Sequence, residues 1–191
     1  MVAYDDTGNM AAARLWWMLR NAGFPDVYLL DGGLAAWRGA GLPVQRGPVE
    51  AMPGNVTLRS GTMPAIDAGA AGSWARTGVL LDARAGERYR GEFEPVDPRT
   101  GHIPGAVSAP TTENVDDSGR FLPADQLRRR FHGLGVSRDV PVAVYCGSGV
   151  TAAHEVAALE IAGIEASLYP GSFSEWANNP ALPVVTGSEP G

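Results

Sequence analysis

The chain has 191 residues, 45% of them hydrophobic and 19% charged, which is one domain and a fraction at about 150 residues per domain and enough apolar side chain for a packed core. Fifteen basic residues against 21 acidic ones give a net charge of −6, which argues against nucleic acid or an anionic membrane as a partner. No apolar run approaches the roughly 18 residues of a membrane span, and MVAYDDTGNM carries acids where a secretory leader carries bases, so a cytoplasmic location is expected.

In chain order, Val2-Ala3-Tyr4 is followed by a short polar loop and an Ala-rich helical pattern, then by Leu30-Asp31-Gly32-Gly33, Trp37 and Gly41-Leu42-Pro43-Val44. Residues 47–57, with Pro48 and Pro53, read as a linker. A short helix is expected over Met63–Ala71 and a buried strand over Val79–Ala83, with a second short strand over Ala106–Ala109. Pro123–Phe131 is a helix with proline in its first turn. Val140–Tyr145 is a strand, and Thr151–Ala162 a helix closed by Gly163. Ala166–Tyr169 is a strand and Ser172–Ala177 a short helix. This alternation predicts an α/β fold with a mainly parallel sheet and helices on both faces.

The pattern occurs twice. Tyr4 and Tyr145, Trp37 and Trp176, and Pro43 and Pro183 stand 141, 139 and 140 residues apart. Strand and helix signals precede the second copy, and only Met1 precedes the first. Residues 1–46 therefore read as the back half of one domain, 58–186 as a complete domain and 187–191 as a tail. The apolar face of the first helix is expected to lie exposed, which favours a homo-oligomer through the half-domain.

Every basic residue is arginine, which excludes Schiff-base and Walker-type lysine chemistry. The single cysteine, Cys146, excludes an internal disulfide and a multi-cysteine zinc site. No metal or cofactor is expected. Cys146 follows a strand and opens Cys146-Gly147-Ser148-Gly149-Val150-Thr151, which runs into a helix. Two glycines let successive amides turn inward, and the helix N-terminus adds partial positive charge. A thiolate or a persulfide anion is favoured in such a loop.

These residues carry a family resemblance. Cys146 to Ala152 is similar to the active-site loop of the tandem-domain rhodaneses, the thiosulfate and 3-mercaptopyruvate sulfurtransferases, in its mercaptopyruvate form. Gly101-His102-Ile103-Pro104-Gly105-Ala106, Leu81-Asp82-Ala83-Arg84 and Tyr169 to Trp176 resemble further signatures of that family, with Pro170 where Asp is commoner. The resemblance implies a rhodanese-like fold and transfer of a sulfane sulfur through a Cys146 persulfide. The partners it implies are a small anionic donor and a cyanide or thiol acceptor. It makes Cys146 the nucleophile, and Arg88, Gly147, Ser148, Gly149, Val150 and Thr151 the donor-binding set. It also implies that Asp5, standing where Cys146 stands, marks an inactive first copy. The loop serine then works with His and Asp of a front half that this chain is expected to lack.

Other conspicuous residues read as structural: Arg84 and Arg90 as pairs, His102 as satisfying a turn, and Arg128-Arg129-Arg130 as a solvated face. Arg99 is a weaker candidate for a second anion contact. One of Trp16 and Trp17 is expected to meet the other domain. Two alternatives stand beside the sulfurtransferase. A phosphatase of the same fold needs arginine at the sixth position after cysteine, where this chain has Ala152. A non-catalytic or weakly active sulfur-binding module needs no turnover at all.

Overall fold

The computed structural model describes residues 1–50, 52–59 and 61–191; Ala51, in the expected linker, and Ser60, near the expected domain start, lie outside the described residues. Four strands, β3 (Val79–Asp82), β4 (Ala106–Ser108), β5 (Val142–Tyr145) and β6 (Ala166–Leu168), form a parallel sheet in the order β4-β3-β5-β6. Register places Leu81 beside Val144 and Asp82 beside Tyr145, so the last residues of β3 and β5 end side by side. Successive strand side chains point to opposite faces. Leu81, Val142 and Val144 accordingly join one core, and Leu80, Ala143 and Tyr145 the other.

Helices α5 (Ala124–Gly133) and α6 (Val150–Ile161) cover the first face. Helices α3 (Ala68–Trp74), α4 (Gly86–Arg90) and α7 (Ser172–Asn178) cover the second. The expected α/β architecture with helices on both faces is what the chain adopts. One expected element differs at its start. Pro64-Ala65-Ile66 is extended and pairs with β6, through Ile66 N–H to Leu168 O (2.9 Å) and Leu168 N–H to Pro64 O (3.1 Å). The helix begins only where the Asp67 carboxylate caps it, accepting from Ala70 N (2.8 Å).

The first copy folds as β1 (Val2–Ala3), α1 (Ala12–Asn21), β2 (Tyr28–Leu29) and α2 (Gly33–Gly39), with β1 and β2 parallel. Its likeness to the second copy extends to single bonds. Trp37 Nε1 donates to Pro43 O (2.8 Å) as Trp176 Nε1 does to Pro183 O (2.7 Å). Leu34 N donates to Asp5 O (3.0 Å) as Phe173 N does to Cys146 O (2.9 Å).

The two copies share one core. Ala13, Trp16, Trp17 and Val27 pack with Val156 and Ala157 of α6. The expectation that the apolar face of α1 lies open is therefore corrected for that face: Trp16 and Trp17 are both buried, and only Leu15 and Met18 are turned out. Residues 187–191, expected as a tail, lie against the rest of the chain. Gly187 N donates to Arg90 O (2.9 Å) and Gly105 N to Pro190 O (2.6 Å). Among the described residues, no helix is long and apolar enough to cross a membrane.

Candidate active site

The site is built at the carboxyl end of β5, where parallel sheets place their ligands. Cys146 continues the face of Val144 and is 1% exposed. Its backbone is pinned from both sides by the chain entering α7. Cys146 N donates to Ser172 Oγ (3.1 Å), Phe173 N donates to Cys146 O, and Ser174 N donates to Gly147 O (2.8 Å). Gly149 then turns the chain into α6 at φ +74°. A Cβ there would lie 2.5 Å from Pro170 O, so both backbone conformation and space demand glycine. Among the described residues, none of the amides from Gly147 to Thr151 donates to another protein group. They and the α6 N-terminus are left to stabilise negative charge.

The first copy supplies an internal comparison. Asp5 occupies the position of Cys146, and its carboxylate takes four amides: Thr7 (2.9 Å) and Asn9 (2.8 Å) on one oxygen, Ala11 and Ala12 (both 2.9 Å) on the other. Burial pushes the Asp5 pKa upward, but the four N–H bonds outweigh it and hold the group below its ordinary value. This loop architecture thus binds an anion, and in the first copy the anion is part of the chain.

Arg88 lies beside the Cys146–Thr151 loop. Its Nη1 is 3.4 Å from where a Cβ on Gly147 would stand. The opposite edge of the guanidinium is taken by Glu94, through Nε to Oε2 (3.1 Å) and Nη2 to Oε1 (2.6 Å), with Asp97 Oδ2 at 3.3 Å from Nη2. Arginine therefore reaches the loop with one edge, held from behind by carboxylates. Ser148 is exposed, Gly147, Val150 and Thr151 are half-buried, and Gly149 is buried.

Arg84 is structural, as expected. It is buried, paired with Asp82 at 2.5 Å and with Glu94 at 3.3 Å, donates to Gly101 O (2.7 Å) and stacks on Phe173 at 3.9 Å. Asp82 also accepts the Arg84 amide (3.0 Å). Arg99 is no anion contact: its guanidinium donates to the carbonyls of Trp176, Ala177, Asn179 and Leu182 (2.7–2.9 Å) at the end of α7. His102 sits between two carbonyls, Tyr89 O (2.8 Å) and Glu189 O (3.1 Å), and stacks on Tyr89. The arginine run is not uniformly solvated. Arg129 pairs with Asp125 at the surface, whereas Arg130 is half-buried against buried Glu155 (3.3 Å) and the Pro110 carbonyl.

Ser172 is a residue of the site that the sequence reading did not single out. It is fully buried at φ +56°, a conformation uncommon for serine, and its hydroxyl also donates to Tyr169 O (2.9 Å). The available signal was the first copy, where glycine, Gly33, occupies the equivalent position at φ +59°.

The family model for the rhodanese-like domain matches residues 1–40 and 67–179. The chain belongs to the rhodanese-like family. A Pseudomonas aeruginosa protein named "Probable 3-mercaptopyruvate sulfurtransferase" is 50% identical over 194 residues, which span 98% of this chain and 68% of that protein. The 3-mercaptopyruvate sulfurtransferase of Escherichia coli K12 is 38% identical over 189 residues, covering 96% and 67%. Among solved structures, the Tum1 protein of Saccharomyces cerevisiae superposes with a TM-score of 0.82 at 25% identity, over 98% of this chain and 69% of that one.

Proposed function

We propose that this chain is a sulfurtransferase that takes a sulfane sulfur from 3-mercaptopyruvate or thiosulfate and passes it to cyanide or a thiol. The observation that carries the reading is the contrast between the two loops. The same fold element is filled by a carboxylate after β1 and presents a thiol with unclaimed amides after β5.

The Cys146 thiolate attacks the outer sulfur of the donor. With mercaptopyruvate the C–S bond breaks, and its electron pair passes to carbon as the enolate of pyruvate, which takes up a proton. With thiosulfate the S–S bond breaks and sulfite leaves with the pair. Cys146 then carries a persulfide, whose charge the Gly147–Thr151 amides receive. Arg88 holds the donor anion through its loop-facing edge. An acceptor such as cyanide attacks the terminal sulfur, leaves as thiocyanate and returns the thiolate. Residues 58–186 are the catalytic unit in this reading, and residues 1–46 are the back half of an inactive copy that buttresses α6.

Intact-mass measurement after incubation with each donor tests the reading. One added sulfur atom on Cys146, removed again by cyanide, is expected, and Cys146→Ser should add none while keeping its far-UV spectrum. Mass addition that persists in Cys146→Ser refutes it.

A further inference from the structure

The Gly101-His102-Ile103-Pro104-Gly105 signature takes no part in the chemistry above, and much of its bonding goes to one segment, Val185–Pro190. His102 N donates to Val185 O (2.8 Å), Val185 N donates back to His102 O (3.1 Å), and Gly105 N donates to Pro190 O. A side chain on Gly101 would collide with Val185 O. The buried His102 ring has Nε2 at Glu189 O and Nδ1 at Tyr89 O. The same segment reaches α4, which carries Arg88. A helix of five residues is too short to hold itself, and its last four carbonyls need donors from outside it. Glu87 O takes Glu92 N (3.0 Å) and Arg88 O takes Gly91 N (3.2 Å), both from the turn that follows. Tyr89 O is met by His102, and Arg90 O by Gly187 N. The signature and the segment seated on it thus close the other two. The first copy offers a comparison. Gly47, the counterpart of Gly187, has φ +104° against +99°, yet residues 45–50 make no backbone hydrogen bond among the described residues. Local preference shapes such a segment, and the signature seats it.

We infer that Val185–Pro190 is a strap, seated on the signature, that fixes Arg88 toward the donor by closing the end of α4. The inference rests on the sulfur-transfer reading for what Arg88 binds; the hold on α4 rests on the bonds just described. Both supports of Arg88 meet at the strap. The helix that carries it ends at Arg90, and the segment that brings Glu94 begins just after Gly91, over which Thr186 packs. Among the described residues, no hydrogen bond of the strap reaches the Cys146–Thr151 loop, so its action on the donor passes through Arg88. Its residues are positioning residues. A guanidinium contributes fully to binding an anion only when it is already held where the anion arrives.

Two full-length variants test it. Gly187→Pro, at an exposed position, excludes the φ of +99° and removes the N–H given to Arg90 O. His102→Phe keeps a flat ring to stack on Tyr89 and loses both carbonyl contacts. In each, hydrogen exchange should show the Gly91 and Glu92 amides losing protection by about tenfold or more, with β3 and β5 unchanged. KM should rise about threefold to tenfold for both donors alike, with kcat within about twofold, and the rise should vanish in the Arg88→Ala background. Unchanged exchange at Gly91 and Glu92 overturns the hold on α4, and so does a loss spread equally over β3 and β5 in both variants. Lost protection with unchanged KM, or an equal KM rise in the Arg88→Ala background, overturns the role toward the donor. If the unsubstituted chain forms no persulfide with either donor, the sulfur-transfer reading falls on its own, and the exchange comparison alone decides the strap.

Discussion

His154 gives the sharpest test of how the first copy seats on α6. Its ring is fully buried, stacked on Phe121 at 4.6 Å, with Nδ1 2.7 Å from Thr111 Oγ1. Burial pushes its pKa down to about 4, against the smaller upward pull of the Gly8 backbone and the Asp5 charge, both from the first copy. In the unfolded chain the same imidazole titrates near 6.5. Between those values the unfolded chain binds a proton that the folded chain does not, so stability is complete above pH 6.5 and falls as pH falls toward 4. The whole window amounts to about 3 kcal/mol, of which about 2 kcal/mol is lost between pH 7 and pH 5. Neighbouring Glu155 has the opposite sign. Burial raises its pKa, so it favours the folded chain at low pH and opposes it as pH rises through the raised value. Comparing variants cancels that contribution. Urea denaturation of the unsubstituted chain and of His154→Gln, each at pH 7 and pH 5 and at fixed ionic strength, should show a pH dependence about 2 kcal/mol steeper in the former. Equal pH dependence in the two proteins would mean that His154 takes its proton inside the folded structure, and the burial argument for its low pKa would be wrong.

Two further substitutions probe the loop's supports. Ser172→Ala should be less stable than Ser172→Gly by about 1 kcal/mol in chemical denaturation, a reversal of the usual order, because only glycine relieves the positive φ while both lose the acceptor for Cys146 N. Arg14 reaches from α1 to the Cys146–Thr151 loop, donating Nη1 to Gly149 O at 3.3 Å. Arg14→Gln should slow persulfide formation about threefold to tenfold, and an unchanged rate would refute that positioning role.

The alternation of Leu80 and Leu81, and of Val142 to Tyr145, made β3 and β5 readable, because each side chain has a face of the sheet to fill. The repeat was readable for the same reason at larger scale: Trp37 and Trp176 serve one packing role. What escaped was set by contacts distant in sequence or by single caps. Helix α4 spans five residues, too few for a period to show. Helix α3 starts late because Pro64 to Ile66 finds a partner in β6, which no local pattern announces. Arg88 was placed beside the loop, yet Glu94 and Asp97 lie in an irregular segment whose charges look solvated until the fold closes over them. Trp16 and Trp17 are both buried because α1 packs with the neighbouring copy's helix as well as its own short sheet, a geometry a lone helical wheel does not contain.

The Asp5 loop bears on how the chain meets ions in solution. A duplicated anion-binding turn would ordinarily give two sites per chain for sulfate, sulfite or a donor, with the unproductive one competing for ligand. Here one turn carries a tethered counter-ion at fixed stoichiometry, ionised at neutral pH and bound through four amides. The duplicate therefore draws nothing from the donor pool. It is free to diverge as a bearing surface for α6, and of the two equivalent turns only the one after β5 is left open to a small anion.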